Sequence, residues 1–307
     1  MKNNTFHIII ACLLSIPLSA CFTGVESTPK ITVNDVKRQD AATISSEAKL
    51  VETVVGDSID SWQPGKEFIV VDSKGAIIFS PHTTASAEVT RGTILRFDGM
   101  QHGTSITGNK DVTLFFITPQ GSRLSYTTTS LDHTIDIPFT VDVSVVDKAR
   151  QLLKGKNLWV MTSIWRDSLD NVEAGLKFVP IRITDVAPGT GDYPIRIDFS
   201  TIDISPDRNG SLFISTANRG TGSRRFESQF SLTDPRKRYP EIEDNAWQLI
   251  TRNMVAPGMS REECRLSLGS PRDINRRAGY SSVRETWYYE NGIYLIFSDG
   301  VLIDYRR

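Results

Sequence analysis

Cysteine and histidine are both scarce: the 307 residues hold three of the first and four of the second. No two histidines stand at metal-ligand spacing, and neither His-x-x-x-His nor Cys-x-x-Cys occurs, so no zinc or dithiol motif is present. A Walker lysine is also missing. Gly189-Thr190-Gly191 and Gly220-Thr221-Gly222 are too short to cradle phosphate. The apolar run Phe6–Leu18 falls short of the roughly 20 residues that a spanning helix needs. Charge is not one-sided either, with 35 Lys plus Arg against 36 Asp plus Glu. No basic stripe with interleaved aromatics occurs, and a nucleic-acid partner is not expected.

The start of the chain is its most specific feature. Lys2 precedes the apolar run, and Leu18-Ser19-Ala20-Cys21 closes it. A basic flank, a short apolar segment and small residues make an export signal. The ending resembles the lipobox of bacterial lipoproteins, which implies acylation of Cys21 and membrane attachment through N-terminal acyl chains. Each buried methylene contributes about 0.8 kcal/mol, so several chains hold firmly. The alternative is a plain secretory signal with an incidental cysteine. Phe22 stands where lipoproteins retained at the inner membrane carry Asp, which points to the outer membrane. Residues 22–26 lack the clustered acids of surface-flipped lipoproteins, which favours the periplasmic face. With 1–20 removed and Cys21 lipidated, Cys264 has no disulfide partner, and buried apolar surface must stabilise the chain.

Charge divides unevenly along the rest. Residues 208–307 carry 16 Lys plus Arg, fifteen of them Arg, against 12 acids, whereas 21–207 carry 18 against 24. The arginine fork suits carboxylates and phosphates, so Arg224, Arg225, Arg236 and Arg238 are candidate contacts for an anionic partner. The bland alternative is a solvated surface with local ion pairs.

The expected organisation is a signal over 1–20, a lipidated tether over 21–50, β-rich domains over 51–146 and 147–235, and an α+β domain over 236–307. The tether would reach roughly 30 Å from the membrane. Strand-like segments recur about every dozen residues: 68–71, 93–97, 112–117, 135–139, 158–161, 178–183, 193–199 and 211–214. The class is therefore α+β but mainly β, with sandwiches or small barrels. Pro138, Pro180 and Pro194 mark edge strands or strand ends. Arg91-Gly92 before 93–97 and Lys154-Gly155 before 156–160 form an echo 63 residues apart, from duplication or coincidence. A basic-Gly opening to a strand resembles the start of bacterial SH3-like barrels, several of which bind cell-wall peptides.

The last 70 residues read differently. Asp234–Pro240 is a proline-bounded linker, and Glu241–Arg252 has helical periodicity. Ser260 and Glu263 form a capping box for a helix that stops at Gly269-Ser270-Pro271. Asn291-Gly292 and Asp299-Gly300 then separate three strands, giving an α-α-β-β-β unit. Gly258–Glu263, Leu268–Pro271, Trp287–Tyr289 and Phe297–Leu302 resemble the BamE (SmpA/OmlA) domain, over about 245–305. That family comprises small outer-membrane lipoproteins associated with envelope integrity and outer-membrane protein assembly. A similar unit occurs in β-lactamase-inhibitory proteins. Two departures are the long β-rich region before the unit and Cys264 at a site usually aliphatic.

Catalytic signals are weak. His82, His102 and His133 sit alone in or near expected loops, and Cys264 has no histidine in its own domain. Ser46-Glu47-Ala48-Lys49 has the Ser-x-x-Lys spacing of penicillin-recognising enzymes without the companion elements. Asp167, Asp170 and Glu173, and Asp203, Asp207 and Asn209, are acidic turns without EF-hand spacing. No metal, cofactor or catalytic residue is expected. The expectation is a non-catalytic envelope lipoprotein that binds a protein or cell-wall partner, with an envelope hydrolase on glycan or peptide as the alternative. Trp159, Trp165 and Tyr193 are candidate aromatic anchors, although such residues are more often core.

Overall fold

The computed structural model describes residues 45–80, 88–104, 108–129, 135–167, 169–216, 224–279 and 282–306. Cys21, His82, His133 and Gly220-Thr221-Gly222 lie outside them. Among the described residues the protein is mainly β, with antiparallel sheets of five, seven and four strands. None closes on itself.

Helix α1 (Ser46–Leu50) leads into β1 (Glu67–Val70), α2 (Gly75–Ile78), β2 (Ile94–Thr104), β3 (Lys110–Ile117), β4 (Arg123–Thr128) and β5 (Thr140–Asp142). The first sheet has the order β4-β3-β2-β1-β5. Alternation sets its inner face: Val112, Leu114 and Phe116 of β3 point inward with Phe68, Val70, Leu95, Phe97 and Leu124. Phe116 meets Phe68 and Phe79 edge-on, each with ring centroids 5.7 Å apart. The expected strand at 135–139 does not form. Ile135 and Ile137 are buried against this core in irregular chain, and Pro138 together with Phe139 at φ 61° breaks the extended path.

Helix α3 (Val143–Leu153) follows β5 directly, with the Asp142 side chain accepting from Ser144 N at 2.9 Å as its N-cap. The expected 146/147 boundary falls inside this helix. Its β-branched opening Val-Ser-Val-Val conceals the helical face made by Val145, Val146, Ala149 and Leu153. That face lies on the second sheet, formed by β6 (Asn157–Val160), β7 (Ile164–Arg166), β8 (Val172–Ala174), β9 (Val179–Pro188), β10 (Ile195–Thr201), β11 (Asn209–Ile214) and, after α4 (Phe226–Gln229), β12 (Phe230–Ser231). The order is β12-β6-β9-β10-β11-β7-β8. Phe230 and Phe199 stand three strands apart, about 14 Å on a flat sheet, yet their centroids are 6.2 Å apart. The sheet is thus strongly curled around its core without closing. Pro180 and Pro194 fall at strand ends as expected, although β9 itself is central.

The two Gly openings do share a local geometry. Gly92 and Gly155 adopt φ 93° and 82°, and each donates its N–H to a neighbouring chain segment, at Val70 O and Ile183 O. The final residues of the expected tether are docked rather than free. Glu47 of α1 accepts from Leu232 N at 2.9 Å, and Val51 and Val54 enter the second core.

The third core lies between α5 (Asp244–Thr251), α6 (Arg261–Leu268) and a sheet of β13 (Asp273–Ala278), β14 (Val283–Tyr288), β15 (Tyr294–Ser298) and β16 (Val301–Arg306). The Ser260–Glu263 capping box is present, and Asp299 and Gly300 take φ 49° and 92° in a tight turn, as expected. Asn291-Gly292 instead belongs to a 3-10 turn, Glu290–Gly292. The sheet also has a fourth strand: β13 is mostly polar, Ile274 apart, and exposed at every position, so no alternation announces it. Trp287, Leu295, Phe297 and Leu302 pack under the helices; Tyr288, Tyr294 and Ile296 face away from them.

The expected linker 234–240 is folded, with Pro235 buried and Asp234 capping Arg236 N. A second junction comes from Lys177 and Phe178, just before β9. Lys177 N donates to Thr251 O, and its Nζ to Ser267 O at the end of α6. Phe178 stacks on Trp247 at 5.8 Å while its N–H joins Val160 O.

Candidate functional site

The candidate site is a cavity of about 290 Å³ on the curled sheet. One wall is β7, β8 and β11, through Ile164, Arg166, Val172, Ser211 and Phe213. The other is Arg224 and Gln229, from the segment leading into β12 at the opposite edge of the same sheet. Register explains the first wall: Arg166 pairs with both Val172 and Ser211, so these side chains share a face. Trp165 points the other way and forms the floor. Its indole is fully buried, meets Phe199 edge-on at 5.0 Å and donates Nε1–H to Thr162 O. Gly175 and Gly210 leave room for it, since a Cβ at either would approach the ring to 2.1 or 2.7 Å.

The two cavity arginines are held by ring faces. Arg166 lies over Phe213 at 5.3 Å and donates to Asp170 O, while Arg224 lies over Tyr193 at 4.5 Å. Arg196 also lies over Phe213, at 6.0 Å, but is paired with Asp198 at 2.8 Å. Among the described residues neither Arg166 nor Arg224 meets a carboxylate, and none lines the cavity. Ile164 and Val172 are 64% and 63% exposed and form an apolar lip.

No family model, no curated protein and no solved structure matches this chain. Its site must therefore be read from its own chemistry.

Of the residues singled out in the sequence, Trp165, Tyr193 and Arg224 converge here. Burial corrects the role of Trp165, which supports the site and is no surface anchor. Half-buried Trp159 sits on β6 opposite Pro180 and Ser231, away from the cavity. Arg225 pairs with Glu227 at 2.6 Å, and Arg236 pairs with Asp244 and lies over Trp247. Arg238 is exposed in the same 3-10 turn as Arg236. Arg166 was not singled out: three residues of Ile164-Trp165-Arg166 are too few to show a pattern.

Other clusters are structurally committed. Lys66 Nζ contacts Asp142 (2.8 Å), Ser144 Oγ (2.9 Å) and Asp57 (3.0 Å), so it is tied into an ion-pair network. Lys148 also binds Asp57, and this hydrogen bond leads in holding the Asp57 carboxyl down to about 2. Glu285 is 1% exposed. Burial opposes its ionisation, but the Trp287 N–H and the Arg261 and Arg276 guanidiniums hold its pKa below the usual carboxylate value. Burial pushes the Cys264 thiol up to about 12, consistent with a core cysteine. His102 is exposed within β2, in a strand and not a loop.

The acidic turns do not converge on a cation. Asp167 accepts from the side chain and backbone of Asn171 and from Leu169 N, while Asp170 faces Arg196 at 3.7 Å. Among the described residues no group of three or more His, Cys, Asp or Glu is placed to hold a metal.

Proposed function

We propose that this chain is a non-catalytic, lipid-anchored envelope protein that binds a protein or cell-wall ligand at the periplasmic face of the outer membrane. The observation that carries the binding role is the cavity with two guanidiniums and no described carboxylate. Such a site offers recognition, and among the described residues no nucleophile in it is paired with a base. The lipobox-like Leu18-Ser19-Ala20-Cys21 supports the anchor. The finer architecture we read as two β-rich domains and a BamE-like unit. The capping box at Ser260, the two helices and the antiparallel sheet beneath them favour that last assignment.

A hydrolase would need a free base beside its nucleophile, and Ser144 with Lys66 does not supply one. The test is crosslinking of the full-length lipidated protein in its own cells, followed by affinity isolation and mass spectrometry. A Cys21→Ser chain runs alongside. Recovery of envelope partners or muropeptides, together with loss of membrane fractionation in the serine variant, supports the proposal. A protein that remains unlipidated, or that turns over glycan or peptide, overturns it.

A further inference from the structure

Resting on that binding role, we infer that the cavity takes a small amphiphilic oxyanion: a carboxylate joined to an apolar body, such as the free end of an apolar peptide or a short organic acid. Three observations converge on this class. The first is charge. Arg166 and Arg224 line one cavity without a described carboxylate, whereas neighbouring Arg196 is neutralised by Asp198. Two guanidiniums without a direct ion pair in a concave site attract an anion more strongly than the same charges on an open surface.

The second is orientation. A guanidinium held over a ring keeps its in-plane N–H donors available, and their fork geometry matches the two oxygens of a carboxylate. Phe213 and Tyr193 hold the two arginines in this way. The third is the apolar lip. Ile164 and Val172 are the wrong residues to leave exposed beside an inorganic ion, and the right ones to cover an alkyl or aryl group. A volume of about 290 Å³ lies at the small end of the roughly 300–1,000 Å³ of ligand pockets. It suits a small acid or the last residues of a chain.

The test is calorimetric titration of the full chain with two acids, phenylpropionate and acetyl-Leu-Phe with a free carboxylate. The corresponding amides and inorganic phosphate serve as controls. Both acids are expected to bind at least about tenfold more tightly than their amides, and more tightly than phosphate. Arg166→Gln and Arg224→Gln should each remove about that factor for the acids and leave the amides unchanged. Arg224→Lys, which keeps the charge and loses the fork, should fall between. Melting curves matching the parent protein confirm that the variants fold.

Binding of the peptide acid alone would identify a chain end as the source; binding of both acids would establish the shared chemistry. Equal binding of acid and amide, insensitivity to both Gln variants, or no heat with any acid would overturn the inference. Failure here with partners still recovered by crosslinking sinks only the ligand class. Loss of both sinks the binding role itself.

Discussion

Two arginine clusters in this molecule have opposite outcomes. On the third sheet, Arg261 and Arg276 close on the buried carboxylate of Glu285, and Arg265 covers Trp287 at 4.7 Å. On the second sheet, Arg166 and Arg224 rest on aromatic faces and meet no described carboxylate. The arginine-rich C-terminal third drew attention by its charge, yet most of its named pairs are internal: Arg225 with Glu227, Arg236 with Asp244, Arg261 with Glu285. The two cavity arginines straddle the division, one at 166 and one at 224. Charge counted along a chain therefore locates little; whether an acid lies beneath each guanidinium decides its role.

That contrast can be broken in order of effect. Trp165→Ala should cost about 3–5 kcal/mol in denaturant unfolding, because it empties the floor of the open site. Gly175→Ala should cost about 1–3 kcal/mol by forcing a methyl into the same indole. Stability at the open site thus lies below its arginines. Glu285→Gln attacks the closed cluster and should cost about 1.5–3 kcal/mol, the range for hydrogen bonds to a charged group. A loss under about 0.5 kcal/mol would mean that solvent already screens that cluster.

Acid offers a sharper comparison. A carboxyl whose folded pKa is depressed adds stability that is complete above its unfolded value and lost as pH falls through the folded one. For Asp57 that window runs from 3.8 down to about 2. Thermal midpoints should fall through this range in the parent protein and fall less steeply in Asp57→Asn; identical slopes would remove Asp57 from the account. The smallest effect belongs to the open cluster. Arg224→Gln should change stability by less than about 1 kcal/mol, the scale of an exposed cation–π contact, while abolishing most acid binding. A larger loss of stability would make the site structural.

Much of the fold was legible where a local rule and the tertiary structure agree. Alternation in β3 and the Ser260–Glu263 box each specify one conformation, and both are observed. The failures have physical causes. Strand β13 faces solvent at every residue, so Asp-Ile-Asn-Arg-Arg-Ala carries no period. Helix α3 opens with Val-Ser-Val-Val, whose strand-like propensity is overridden by burial against the second sheet. Strands β7 and β8 have three residues each, too few for a pattern. The site was legible only as residue types. Trp165, Tyr193 and Arg224 were visible as an indole, a phenol and a guanidinium, but their meeting depends on strand register and on the curl of a seven-stranded sheet. No spacing along the chain encodes that.

Lys177 and Phe178 carry a consequence for any partner that touches more than one sheet. Their bonds to Thr251, Ser267 and Val160, with the ring seated on Trp247, pin the terminal helices to the curled sheet. Curled sheet and terminal helices are thereby held as one body. A partner seated on both would find their mutual order already set, and that share of the ordering entropy is not lost on association.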